Sequence, residues 1–163
     1  MKRIYVKAVS QLVVLTVFAS FLSGCGEPPD KLIETASGKP EAVFRNTNPA
    51  AVANKFVGIC AKFAGQVDTA TNHQVICRKS LAEIDQTESV MTQLLIGNSY
   101  STTPDSVMTF TIVDIGNDVM VYADQYSETI MAFGQPKRVN TMGNANFNIV
   151  MKLFKFLGAD TSI

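Results

Sequence analysis

Val107-Met108-Thr109-Phe110-Thr111-Ile112-Val113-Asp114-Ile115-Gly116-Asn117-Asp118-Val119-Met120-Val121-Tyr122-Ala123 is the stretch that decides the fold. Side chains alternate along an extended chain, so Val107, Thr109, Thr111, Val113 and Ile115 share one side and Met108, Phe110, Ile112 and Asp114 the other. Such β-branched and aromatic residues suit a pleated, half-buried surface. Gly116-Asn117, between two apolar runs, is a compact turn signal. Residues 119–123 therefore return as an antiparallel partner strand, which can run on as far as Met131. A strand that is apolar on both sides is to be covered on both faces, or on one face and by a partner.

Outward from this hairpin, residues 66–69 and 74–79 read as two more strands around Ala70-Thr71-Asn72, with Val75 and Cys77 on one face. Residues 81–96 read two ways. Leu81, Ile84 and Glu88 fit a helix, whereas Val90-Met91-Thr92-Gln93-Leu94-Leu95-Ile96 has strand composition and is taken as a strand. Residues 99–105 form a polar loop around Pro104, and Gly134-Gln135-Pro136-Lys137-Arg138 breaks the chain again.

Helices close both ends of this β-rich middle. Asn48 is a strong N-cap, and Pro49 suits the first helical position because its missing N–H would be unpaired there. Val52, Phe56, Ile59, Cys60 and Phe63 follow as one apolar stripe, and Gly65 is placed as the C-cap. After Asn144 a second helix carries Phe147, Ile149, Val150, Met151, Leu153, Phe154, Phe156 and Leu157, with only Lys152 and Lys155 plainly polar, and stops at Gly158. That arc is wider than one flat contact needs. Either the helix sinks into the sheet, or Phe147, Val150, Phe154 and Leu157 line a pocket or an interface. The expected fold is α+β: an antiparallel sheet of about four to five strands packed by an N-terminal and a C-terminal helix.

The first residues have a different character. Lys2, Arg3 and Lys7 precede an apolar run, residues 8–22, that ends in Leu22-Ser23-Gly24-Cys25. A basic head, a short apolar middle and small residues before a cut site read as a secretory signal. The run is short for a bilayer span, which needs roughly 20 mostly apolar residues. Leu22-Ser23-Gly24-Cys25 resembles the lipobox of bacterial lipoproteins, a resemblance confined to about the first 26 residues. It implies a signal peptide over residues 1–24, cleaved so that Cys25 becomes the first residue and carries acyl chains such as palmitate. Membrane attachment then rests on the acyl chains, each buried methylene contributing about 0.8 kcal/mol. Gly26 stands where an Asp commonly retains such lipoproteins in the inner membrane. The implied location is the bacterial cell envelope, at the outer membrane and facing the periplasm. Residues 25–47, with Pro28, Pro29, Gly38 and Pro40, then read as a lipidated flexible tether averaging about 25–30 Å, near whose end Val43 and Phe44 can already dock on the body, and residues 48–163 as a single α+β domain.

The implied mature chain of 139 residues is long enough for one domain with its own core. The signal holds three of the 14 basic residues and none of the 14 acidic ones, which leaves a net charge of −3. That charge gives no electrostatic footprint for nucleic acid, and no nucleic-acid partner is expected. With Cys25 committed to the anchor, Cys60 and Cys77 remain as a pair in an oxidising compartment. A disulfide between them would stabilise by about 3 kcal/mol in the loop-entropy model. The alternative is two separate buried thiols.

Catalytic chemistry finds little to work with. His73 is the only histidine and sits beside a hairpin turn, so no zinc-ligand spacing exists, and no metal or cofactor is expected. No nucleophile elbow, phosphate loop or dinucleotide fingerprint occurs. Asp114, Asp118 and Asp124 surround the Gly116 turn at a spacing that matches no calcium loop, and read as hairpin-end polar groups. Tyr100, Tyr122, Tyr126 and Glu128 are a weaker candidate for the mouth of a polar pocket. The expectation is a chain with no catalytic residues and no enzymatic activity. The role expected of it is that of a membrane-anchored envelope lipoprotein acting as a non-catalytic interaction or accessory subunit with an envelope protein partner. The alternative is a binder of an apolar small molecule or lipid between the sheet and the C-terminal helix, where methionine and phenylalanine are plentiful.

Overall fold

The computed structural model describes residues 30–31, 33–84, 92, 97 and 100–162. In chain order its elements are β1 (Glu41–Phe44), α1 (Pro49–Ile59) running into a π-helical turn (Cys60–Ala64), β2 (Gln66–Ala70), β3 (Gln74–Ser80), the single turn α2 (Leu81–Ile84), β4 (Asp105–Asp114), β5 (Val119–Ile130), β6 (Pro136–Asn140) and α3 (Asn144–Phe156). The fold is mixed α+β, built on one antiparallel sheet.

The β4–β5 hairpin is the spine of that sheet. Its register runs from Asp105 opposite Glu128 to Asp114 opposite Val119. Gly116 sits at φ 92, a conformation glycine adopts without a Cβ penalty, and its N–H donates to the Asp114 carboxylate at 2.9 Å. β3 pairs with β4 and β2 with β3, giving the order β1-β5-β4-β3-β2. β5 is long enough to carry two short strands along its other side. β1 pairs with Val119 to Tyr122, and β6 pairs with Tyr126 to Ile130. They meet near Asp124, where Ala123 N–H donates to Pro40 O and Thr141 N–H donates to Gln125 O.

Both of these edge strands depart from the sequence reading. Residues 41–44 were expected to belong to a flexible tether that ends at residue 47, and they are a fully buried strand instead. Glu41 is tolerated there because its carboxylate accepts N–H groups of Ala36 and Ser37. Residues 134–138 were expected as a break, yet Pro136–Asn140 is a strand whose five residues are all exposed. Pro, Lys and Arg on such an edge discourage further pairing. The outer edge of β1 is closed by the chain end, with Val43 and Asp160 exchanging backbone hydrogen bonds at 2.9 and 2.7 Å. The strand expected over residues 90–96 lies outside the described residues except for Thr92.

Period-2 alternation gives the sheet two unlike faces. Val75 and Cys77 of β3, Phe110 and Ile112 of β4, Val119, Val121 and Ala123 of β5, and Ala42 and Phe44 of β1 are all buried in one core. Val52, Phe56 and Cys60, and Phe147, Val150, Met151 and Phe154 of α3, belong to that same core. Phe56 is its hub. Its ring stacks on Phe110 at 4.2 Å and meets Phe44 and Phe154 edge-on, each at 5.9 Å.

The helix signals act as chemistry requires. Asn48 Oδ1 accepts the Ala51 N–H at 2.9 Å, with Pro49 in the first turn. Gly158, at φ 86, ends the C-terminal helix. Lys55 reaches from α1 to donate to Leu157 O at 2.9 Å while lying over the Phe44 ring. At the other end of α3, Asn148 Nδ2 donates to Asp30 O at 2.8 Å and Lys31 lies over the Phe147 ring.

Candidate functional site

The end of α1 builds the first wall of a cleft. α1 carries Cys60 toward the sheet, and the π-helical turn that follows is closed by Gly65 N–H donating to Cys60 O at 2.9 Å. Such turns widen a helix by one residue and recur at functional sites. Gly65, at φ 97, then reverses the chain into β2. Cys60 and Cys77 form a disulfide with a Cα–Cα distance of 5.4 Å, which ties the wall to β3. The 17-residue separation corresponds to about 3 kcal/mol in the loop-entropy model.

Beside that disulfide lies a cavity of about 460 Å³. Ile59 and Cys60 line one side, Cys77, Met108 and Phe110 form the sheet floor, and Ile149, Val150 and Leu153 of α3 form the opposite wall. Lys79 and Ser106 complete the lining, directly opposite each other in the β3–β4 register. The volume falls in the range of small-molecule sites, roughly 300–1,000 Å³, and the lining is apolar with a few polar groups, as such sites usually are. Phe110 is fixed from beneath by Phe56, whereas Met108 is a flexible side chain that can adapt to an occupant. Ile149 is 63% exposed, so the cleft meets solvent at α3.

The sequence candidates fall in different places. Phe147 and Phe154 are core residues, Leu157 packs against the core partly buried, and Val150 belongs both to the core and to the cleft. Cys25 lies outside the described residues. His73 is exposed in the β2–β3 turn. Asp118 holds the Arg45 guanidinium at 2.8 Å and the Asn46 N–H at 2.9 Å, and Asp124 pairs with Lys39. Ile149, Leu153, Met108, Lys79 and Ser106 were not singled out as site residues. The α3 pattern contained the first two, but nothing in the sequence says which strand positions oppose them.

A cluster of charges occupies the opposite face of the sheet. Arg78 donates to Asp68 at 2.6 Å, to Asp105 at 3.1 Å and to Glu128 at 2.8 Å. Arg138 donates to the other oxygen of Glu128 at 2.5 Å and lies over the Tyr126 ring. The Glu128 side chain is only 5% exposed. Desolvation pushes its carboxyl upward, but the hydrogen bonds from Arg138 and Arg78 outweigh that and hold it below the ordinary glutamate range. Burial acts against the Arg78 charge too, and its three carboxylate partners raise its pKa despite that. Glu128 thus stays an ion, so this cluster is suited to clamping five strands rather than to passing protons.

Two further carboxyls are lowered at the β1 edge. Asp118 is held down by its hydrogen bonds from Arg45 and Asn46, and Asp160 is lowered to about 2 by Ser162 and Arg45. A carboxyl with a depressed pKa in the folded state binds fewer protons there than in the unfolded chain. Its stabilisation is present above the unfolded value, about 4, and fades as pH falls through the folded value. Urea midpoints should therefore be flat from pH 7 to about 5 and fall steadily from about pH 4.5 toward 2. A midpoint at pH 3 equal to that at pH 6 would contradict the ion pairing.

Among the described residues, no group of His, Cys, Asp and Glu is placed to hold a metal ion. Among them, too, no helix is long and apolar enough to cross a membrane. Compared with family models, curated proteins and solved structures, the chain matches none.

Proposed function

We propose that this chain is an envelope lipoprotein, anchored through acyl chains on Cys25, whose folded domain binds an apolar molecule in the cleft between the sheet and α3. The observation that carries the reading is the apolar cavity of about 460 Å³ at Ile59, Met108, Phe110, Val150 and Leu153, stapled open on one side by the Cys60–Cys77 disulfide. An unfilled apolar volume of this size is destabilising, because its lining loses packing contacts, so a fold that keeps one gains by filling it. The lipobox residues Leu22-Ser23-Gly24-Cys25 support the anchor, and the membrane beside it is a ready source of apolar ligands.

A second reading keeps the domain as a non-catalytic interaction or accessory subunit with an envelope protein partner. It draws on Phe156, 82% exposed at the end of α3, and on Ile149 on the same helix. Exposed aromatic and aliphatic residues of this kind are common anchors at protein interfaces.

Native mass spectrometry of the full chain purified gently from membranes tests both parts of the proposal. The expected spectrum has an acylated mature chain beginning at Cys25 and a non-covalent adduct lost on activation. Substituting Asp for Leu153 should remove the adduct and leave the acylated mass unchanged. A chain that is acylated yet always empty would reject the cleft and favour the interaction subunit.

A further inference from the structure

Lys79 is the one charged side chain among the described residues that line the cleft. It is half-buried, and among the described residues it makes no ion pair. A partly buried ammonium with no acidic partner among the described residues is open to an anion as its counter-charge. Ser106 stands opposite it in the register, and its Oγ already accepts a 3.4 Å hydrogen bond from Gln125. The Ser106 O–H is therefore left to donate. Paired in the register and both lining the cleft, Lys79 and Ser106 bring two donors to a cleft whose other lining residues are apolar.

We propose that the cleft takes a single-chain amphiphile with an anionic head, its chain lying along Met108, Phe110, Val150 and Leu153 and its head held by Lys79 and Ser106. The proposal rests on the cleft being a ligand site and adds which chemistry it selects. A carboxylate and a phosphate head share the needed charge and acceptor oxygens. A cationic amphiphile would place like charges together at Lys79, and an uncharged one would leave the ammonium unpaired.

The test measures binding of dodecanoate, dodecyl phosphate and dodecanol to the full purified chain, each below its micelle concentration, by displacement of a fluorescent apolar probe. Dodecanoate or dodecyl phosphate should bind roughly tenfold or more tightly than dodecanol, the size expected for a charge-assisted hydrogen bond. Whichever anion binds more tightly identifies the head. Lys79→Met should abolish that preference, and a far-UV circular dichroism spectrum and urea midpoint matching the parent report an intact fold. Ser106→Ala should reduce the preference in part. If all three ligands bind equally, or if Lys79→Met leaves the preference intact, the head site is wrong and the cleft stands. If none binds, including dodecanol, the ligand-site reading falls with it.

Discussion

Phe56→Ala is expected to lower stability by about 3–5 kcal/mol, the range for removing a buried aromatic ring. The ring touches Phe44, Phe110 and Phe154, so three other elements lose a contact at once. Aromatic pairs add about 0.5–1.5 kcal/mol each beyond area burial, which places this site at the upper part of the range. Collapse around the void is limited, because Phe110 sits on a central strand paired on both sides. Urea unfolding followed by far-UV circular dichroism measures the loss. Phe156→Ala, at an exposed position, should change the same midpoint by less than about 0.5 kcal/mol. A Phe56→Ala loss under about 1 kcal/mol would mean that the ring is not the hub.

Arg78→Ala should cost about 2–4 kcal/mol. Removing one partner of a buried ion pair strands the other, and that penalty runs to about 3–5 kcal/mol. Here it is moderated because Arg138 still holds Glu128. The charge cluster is expected to matter less for net stability than for register, since it links β2, β3, β4, β5 and β6 across one face. The double variant Arg78→Met with Glu128→Leu should therefore recover much of the loss, as apolar replacements of buried pairs often do. Denaturant midpoints of Arg78→Met, Glu128→Leu and the double variant form the cycle that checks this. A double variant as unstable as the sum of the two singles would show that the residues are uncoupled.

The hairpin of β4 and β5 was legible because alternation over nine residues followed by a glycine turn has few other solutions. The capped start of α1, the glycine stop after α3 and the β2–β3 hairpin were legible for similar local reasons. β1 and β6 were not. Each is four or five residues long, and each owes its strand state to backbone pairing with β5 rather than to a pattern of its own. Glu41 and Pro136 even argue locally against a strand. The C-terminal helix was legible as too greasy for one contact. Which of its residues faces core, cleft or solvent depends on the crossing of α3 over β3 and β4, a long-range property. Phe147 and Phe154 thus proved to be core, while Ile149 and Leu153 flank the cleft. Lys79 could not stand out in advance, since a lone lysine in an alternating strand ordinarily points to water.

The hydrogen bond from Asn148 to the Asp30 carbonyl bears on how far this body can wander. With a lipid on Cys25, only five residue steps separate the fatty terminus from a point fastened to α3, at most about 18 Å of fully stretched chain. With the proposed anchor, the leash would be shorter than the 22-residue stretch 26–47 would permit, and the face bearing Asn148 would be held near the headgroups. A protein so anchored would explore a plane rather than a volume, and it would meet molecules leaving the lipid sheet before those dissolved beyond it.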